Sequence, residues 1–135
     1  MRWTLVVLGV FHLLTGVPAV VAPRWFFDGF PGVGQPWTAA YPPYNEHLMT
    51  DVGATFTTLG VMLLLAARLM LRRVTDVVLI GVLTFSSLHL LYHASHHGAL
   101  SGVDLGLSLS SLVLGVLAPL ALLVLNRSAH RAAPR

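Results

Sequence analysis

The sequence has no cysteine. That excludes disulfides, thiolate metal sites and cysteine nucleophiles. It also has no lysine; its eight basic side chains are all arginine. Charge of either sign is scarce, at 10% of residues. A soluble domain carries roughly a quarter charged residues, so this chain has too little polar surface to coat a globule in water. No phosphate loop, dinucleotide fingerprint or nucleophile motif appears. The arginines sit at the ends of apolar segments rather than in a patch, which argues against a nucleic-acid partner.

What is present in quantity is apolar surface, at 56% of the 135 residues. Crossing the hydrocarbon core takes about 20 apolar residues per helix. Four segments qualify: Trp3 to Val21, Leu48 to Ala67, Val77 to His96 and Val103 to Leu125. The expected fold is an all-α membrane protein, a single domain of four transmembrane helices, with the lipid bilayer as its solvent. The first segment has the look of a secretory signal, since Arg2 precedes an apolar run ending in Val20-Val21-Ala22. Pro23 directly after it disfavours cleavage, so it is read as a helix.

Arginine placement sets the expected orientation. Arg2 precedes the first helix. Arg68, Arg72 and Arg73 lie between the second and third, and Arg127, Arg131 and Arg135 follow or close the fourth. With both termini cytoplasmic in the plasma membrane, only Arg24 falls outside.

The outer connection between the first two helices, residues 22–47, is rich in proline, glycine and aromatics and shows no helical period. A structureless connection of that length is usually functional or disordered. Trp25, Phe26, Phe27, Phe30, Trp37, Tyr41 and Tyr44 suit the membrane interface. The segment reads either as an ordered lid on the outer surface or as a simple interfacial anchor.

On this topology the ionisable groups converge. Glu46, His47 and Asp51 open the second helix at its outer end. His89, His93, His96 and His97 close the third. Asp28 and Asp104 lie in the outer loops. His89, His93 and His96 fall within an arc of about 60° on a helix, and His97 widens it to about 100°. His47 and Asp51, four apart, also share a face. Ionisable groups at such depths normally face a bundle interior or a water-filled cavity. The residues opposite the histidine stripe, Val82, Leu83 and Leu91, suit lipid.

Imidazole and carboxylate together suit a transition metal such as Zn, Fe or Cu. Glu46, His47, Asp51, His89, His93 and His96 are the candidate ligands. His97, Asp28, Asp104, Tyr44 and Trp37 are candidates for supporting or lid roles. The run His89-x3-His93-x2-His96-His97 resembles the histidine boxes of membrane di-iron desaturases and hydroxylases over nine residues, which implies a metal and not their reaction. A competing cofactor is haem b, ligated by His12 of the first helix and His89. The bland alternatives are interfacial solvation of His96 and His97, a structural network with Glu46 and Asp51, a pH switch, and for His12 a hydrogen bond to a neighbour.

Other polar residues have simpler readings. Asp76 suits the positive end of the third helix dipole. Thr55, Thr57 and Thr58 bond back to helical carbonyls. Gly106, Ser108, Ser110, Ser111 and Gly115 make the fourth helix a close-packing element and a candidate homo-oligomer contact. Pro119 is expected to kink it.

The motifs Pro23-Arg24-x-Phe26-Phe27-x-x-Phe30-Pro31-Gly32 and Pro43-Tyr44-Asn45-Glu46-His47-Leu48-x-x-Asp51-Val52-Gly53 resemble those of a family of small actinobacterial four-helix integral membrane proteins. The likeness covers the long loop, the second helix and the third-helix histidines. It implies the architecture and no activity. The leading expectation is therefore a membrane-embedded metal-binding protein with an outward site, and, if an enzyme, a redox or hydrolytic one acting on a lipid-like substrate. The alternatives are an accessory subunit of a larger membrane complex and a haem-binding electron carrier.

Overall fold

The computed structural model describes residues 1–131, with side chains described through Ser128. It contains five helices among the described residues: α1 Arg2–Val21, α2 Pro23–Gly29, α3 Glu46–Leu69, α4 Arg72–Ser95 and α5 Gly102–Arg131. The predicted second, third and fourth spans are α3, α4 and α5. All but α2 are long and apolar enough to cross a membrane. The 24 residues of α3 or α4 extend about 36 Å, enough for a hydrocarbon core of about 30 Å.

The helix ends follow local chemistry. The Asn45 side chain accepts a hydrogen bond from Leu48 N at 3.0 Å and starts α3 two residues before the apolar run does. Met70 ends α3 in the left-handed region at φ 50, and α4 begins after only Leu71. So short a link forces α3 and α4 to lie antiparallel side by side. α4 begins at Arg72, five residues ahead of its apolar window, because charged residues remain helical in the headgroup layer. The loop read as irregular opens with the short helix α2. Pro23 stands at its start, where a fixed φ favours the first helical turn.

The helices pack in series. α1 lies along α3, α3 meets α4, and α4 lies along α5. All four contribute to one apolar core at the arginine-rich end, built from Leu5, Leu63, Ala66, Ala67, Val78, Leu79, Val82, Leu122 and Leu123. Arg2 Nε donates to Ala67 O at 3.1 Å, fixing the start of α1 against the end of α3. Asn126 of α5 donates to Asp76 Oδ1 at 2.8 Å and to Arg72 O at 3.2 Å, and Arg127 lies 3.5 Å from Asp76 Oδ2. Asp76 thus joins α5 to α4 besides sitting near a helix start. Of the arginines assigned to this end, Arg135 lies outside the described residues, as does the Arg131 side chain.

Two sequence expectations about packing change. The closest helix approach is between α1 and α3, through Gly9, Gly16, Gly53 and Gly60. A Cβ on Gly16 would sit 2.5 Å from Thr57 N and 2.7 Å from Gly53 O. On α5, by contrast, Gly106 faces open space and Gly115 meets only Ser86 Oγ at 3.9 Å. Val82, expected toward lipid, is fully buried. It precedes His89 by seven residues, about 20° short of two turns, and so shares the histidine face. Leu91 does face outward, 66% exposed. The threonines behave as expected: Thr55, Thr57 and Thr58 donate to Asp51, Gly53 and Ala54 carbonyls at 2.8–2.9 Å.

Candidate functional site

His89 and His93 continue the interior face of α4 that Thr75, Val78, Val82 and Ser86 begin. Both are half-buried, so the stripe points inward as far as His93. Their rings are 4.7 Å apart. Phe85 stacks on His89 at 5.4 Å, and Phe56 of α3 meets His89 edge-on at 5.9 Å. An aromatic wall thus closes the site toward the membrane middle.

From the other side the site is closed by Tyr41 of the long loop. Its ring meets His93 edge-on at 5.0 Å. His93 Nδ1 lies 2.9 Å from the Tyr41 hydroxyl, and that hydroxyl donates to His96 O at 2.9 Å. Tyrosine has one hydroxyl proton to give. With that proton committed to the carbonyl, His93 Nδ1–H is the donor to Tyr41 Oη. The neutral imidazole then carries its lone pair on Nε2. Burial, and then neighbouring Tyr92, raise the Tyr41 phenol above its ordinary range, so it stays a donor at neutral pH. Neither ring nitrogen of His89 has a hydrogen-bond partner among the described residues.

The loop carrying Tyr41 is docked, as a lid would be. Ala99 N donates to Ala40 O at 2.9 Å, and Ala40 is buried. Gly98, at φ 57, packs directly against the Ala40 carbonyl where a side chain would collide. Ser101 N reaches Gln35 Oε1 at 3.4 Å, and Gly34 abuts the Asp104 carboxylate. Thr38 ties the loop to α2 through Phe27 O at 2.6 Å. Phe26, Phe30 and Trp37 pack in sequence, and Phe27 meets Tyr44. Trp37 Nε1 and the Tyr44 hydroxyl are buried without a hydrogen-bond partner among the described residues. Arg24 pairs with Asp28 at 2.6 Å, which raises its pKa, and lies over the Tyr44 ring at 5.0 Å.

The remaining candidates lie elsewhere. α4 ends at Ser95, so His96 and His97 leave the helical stripe. The His96 ring stacks on Tyr92 at 4.7 Å, with Nδ1 3.2 Å from Tyr92 O; His97 Nε2 lies 3.0 Å from Ala94 O. Both therefore sit beside the last carbonyls of the helix; the Tyr92 carbonyl also accepts from the His96 backbone N–H at 2.9 Å and from Ser95 Oγ at 3.1 Å. Glu46 is exposed in the first turn of α3. His47 and Asp51 pair with each other at 3.3 Å, 88% and 62% exposed. They lie more than about 100° around α3 from the side that meets α1 and α4. Within one chain the structure therefore does not bring these carboxylates to the histidines. No group of three or more His, Asp or Glu converges on a metal-sized site among the described residues.

His12 is buried in the middle of α1, its Nδ1 donating to Leu8 O at 2.8 Å. Its ring meets Phe56 at 5.6 Å, and Phe56 in turn meets His89. A phenyl ring rather than an open slot separates the two imidazoles, so a haem between them would require Phe56 to move.

No family model, curated protein or solved structure matches this chain.

The sequence signal found His89 and His93 but not Tyr41. Tyr41 is one of several aromatics in the loop, and nothing local distinguishes it. Its partner stands 52 residues away.

Proposed function

We propose that this chain is a multi-pass protein of the plasma membrane, with both termini cytoplasmic, that binds a transition-metal ion at His89 and His93 from the outer side. The observation that carries the reading is the pair itself. Two half-buried imidazoles stand one helical turn apart, one with its tautomer set by Tyr41 and the other without a hydrogen-bond partner. A hydrogen bond to the far nitrogen is how proteins orient a ligating histidine, and imidazole suits Zn, Cu or Fe. His89 alone of the two lacks a hydrogen-bond partner among the described residues, and a bound metal ion would give its ring nitrogen one.

Charge supports access by a cation. Asp28, Glu46, Asp51 and Asp104 belong to the lid end, against one arginine there, Arg24. Such a field raises the local cation concentration. The opposite end holds Arg2, Arg68, Arg72, Arg73 and Arg127, which is the basis for placing it in the cytoplasm. With two ligands from the chain, the other coordination positions belong to water or to oxygen atoms of a substrate. A lipid-like molecule entering beside the aromatic lid suits this position.

Elemental analysis of detergent-purified protein tests the reading. About one transition-metal ion per chain is expected, lost in His89→Ala and in His93→Ala. Metal content unchanged in both variants would refute it.

A further inference from the structure

The long helices form two pairs. α1 and α3 are joined along their length by the glycine seam, and at one end by Arg2 on Ala67 O. α4 lies along α5, with Asn126 and Arg127 holding Asp76. Between the pairs, the long helices meet as α3 against α4. Every hydrogen bond that joins the two pairs among the described residues is made by the lid. These bonds are Ala99 N to Ala40 O, Ser101 N to Gln35 Oε1, Tyr41 Oη to His96 O and His93 Nδ1 to Tyr41 Oη. The lid is thus a strap: its ends belong to α1 and α3, and it docks on the connection between α4 and α5.

The two ends of the α3–α4 boundary are built differently. At the arginine end the buried core reaches from Leu63 and Ala67 on α3 to Val78 and Val82 on α4. The two-residue link Met70-Leu71 lies there, with Met70 at φ 50. Toward the lid end, Phe56 meets Phe85 and His89 edge-on, and Thr55, Thr57 and Thr58 bond back to their own helix. Two rigid bodies joined tightly at one end and by a strap at the other have the form of a hinge, since a few link residues can absorb the rotation. We propose that the helix pairs open at the lid end about the Met70-Leu71 link, and that lid residues 35–41 are the clasp that gates His89 and His93. The gating rests on the metal reading above; the opening does not. Linkage couples the two. A metal ion that binds His93 oriented by Tyr41 favours the docked lid by the same factor that Tyr41 adds to its affinity, about 10–100-fold.

Because the chain has no cysteine, spin labels on introduced cysteine pairs read distances without background. Leu48→Cys with Leu91→Cys reports the lid end, and Leu65→Cys with Val77→Cys the arginine end; all four side chains are exposed. Gly98→Val releases the clasp, because its side chain meets the Ala40 carbonyl and φ 57 disfavours it. Double electron–electron resonance in lipid nanodiscs is expected to show the lid-end distance lengthened in Gly98→Val and the arginine-end distance unchanged. Tyr41→Phe, which keeps the ring packing, is expected to shift a smaller fraction the same way. Unchanged lid-end distances in both variants, or equal lengthening at both ends, overturn the hinge. Zinc is expected to lower the open-to-closed ratio of Gly98→Val about 10–100-fold, and to have no effect once His89→Ala and His93→Ala are added. Bound zinc without that shift overturns the gating. Opening in both variants without any bound zinc supports the hinge and counts against the metal reading alone.

Discussion

Replacing Tyr41 by phenylalanine removes one oxygen atom and two hydrogen bonds, each 2.9 Å long. The ring keeps its edge-on contact with His93, so packing is nearly preserved. Each bond contributes about 0.5–1.5 kcal/mol net. The loss at His96 O falls at the low end, because that carbonyl is exposed and water replaces the phenol. The loss at His93 Nδ1 is the larger, since the imidazole is half-buried. Thermal unfolding in detergent should therefore show about 1–2 kcal/mol of destabilisation. The effect on metal binding is of a different kind. Without the phenol oxygen, His93 is free to place its proton on either nitrogen and to turn. Loss of such an orienting partner weakens metal affinity about 10–100-fold. Competition titration with a chromophoric zinc chelator measures this directly. Tyr92→Phe is the control: its ring also meets His93, at 5.4 Å, with no hydroxyl bond to it. Native affinity in Tyr41→Phe, or equal damage from Tyr92→Phe, would refute the reasoning.

Three further outcomes are expected. Gly16→Ala should cost about 1–3 kcal/mol by overpacking, since its Cβ meets backbone atoms at 2.5 and 2.7 Å. Gly9→Ala should cost less, because the nearest atoms, at 2.9 Å, belong to the movable Leu64 side chain; equal costs in a detergent unfolding series would contradict this. Asn126→Ala removes the two Asn126 bonds to the start of α4, leaving the Arg127–Asp76 pair in place, and should destabilise by about 1–3 kcal/mol, with no change in metal affinity. The Tyr41 phenol titrates above its ordinary value of 10.0 in the folded chain. The folded state therefore holds this proton more tightly than the unfolded state. Its contribution is complete below pH 10.0 and is lost as pH rises through the folded value. Limited proteolysis of the lid should accelerate in that range in the native protein but not in Tyr41→Phe.

The four spans were legible because hydrocarbon imposes a length and a composition that few other constraints imitate. The inward histidines were legible as a spacing, since His89 and His93 are one turn apart whatever surrounds them. Spacing alone did not reveal where the stripe stops. Ser95 ends the helix, and His96 and His97 turn to its terminal carbonyls. Nor did spacing say which face of α3 meets α4. Phe56 takes that face, and His47 and Asp51 are left on the other side. The glycine seam was present in the sequence as Gly9, Gly16, Gly53 and Gly60. Small residues are more crowded on the last helix, yet close packing depends on which helices are neighbours, and no local pattern gives that. Tyr41 and Asn126 carry contacts across more than 50 residues, and no local pattern announces them.

The central claim is that His89 and His93 hold a metal ion. The most direct test is electron paramagnetic resonance of copper(II) bound to protein carrying His47→Ala and Asp51→Asn, so that the exposed His47–Asp51 pair supplies no ligand and only the His89–His93 site is read. The account predicts splitting from two imidazole nitrogens, reduced to one in His89→Ala and in His93→Ala and absent when both are replaced. A spectrum unchanged by those replacements, or no bound copper at all, would contradict it.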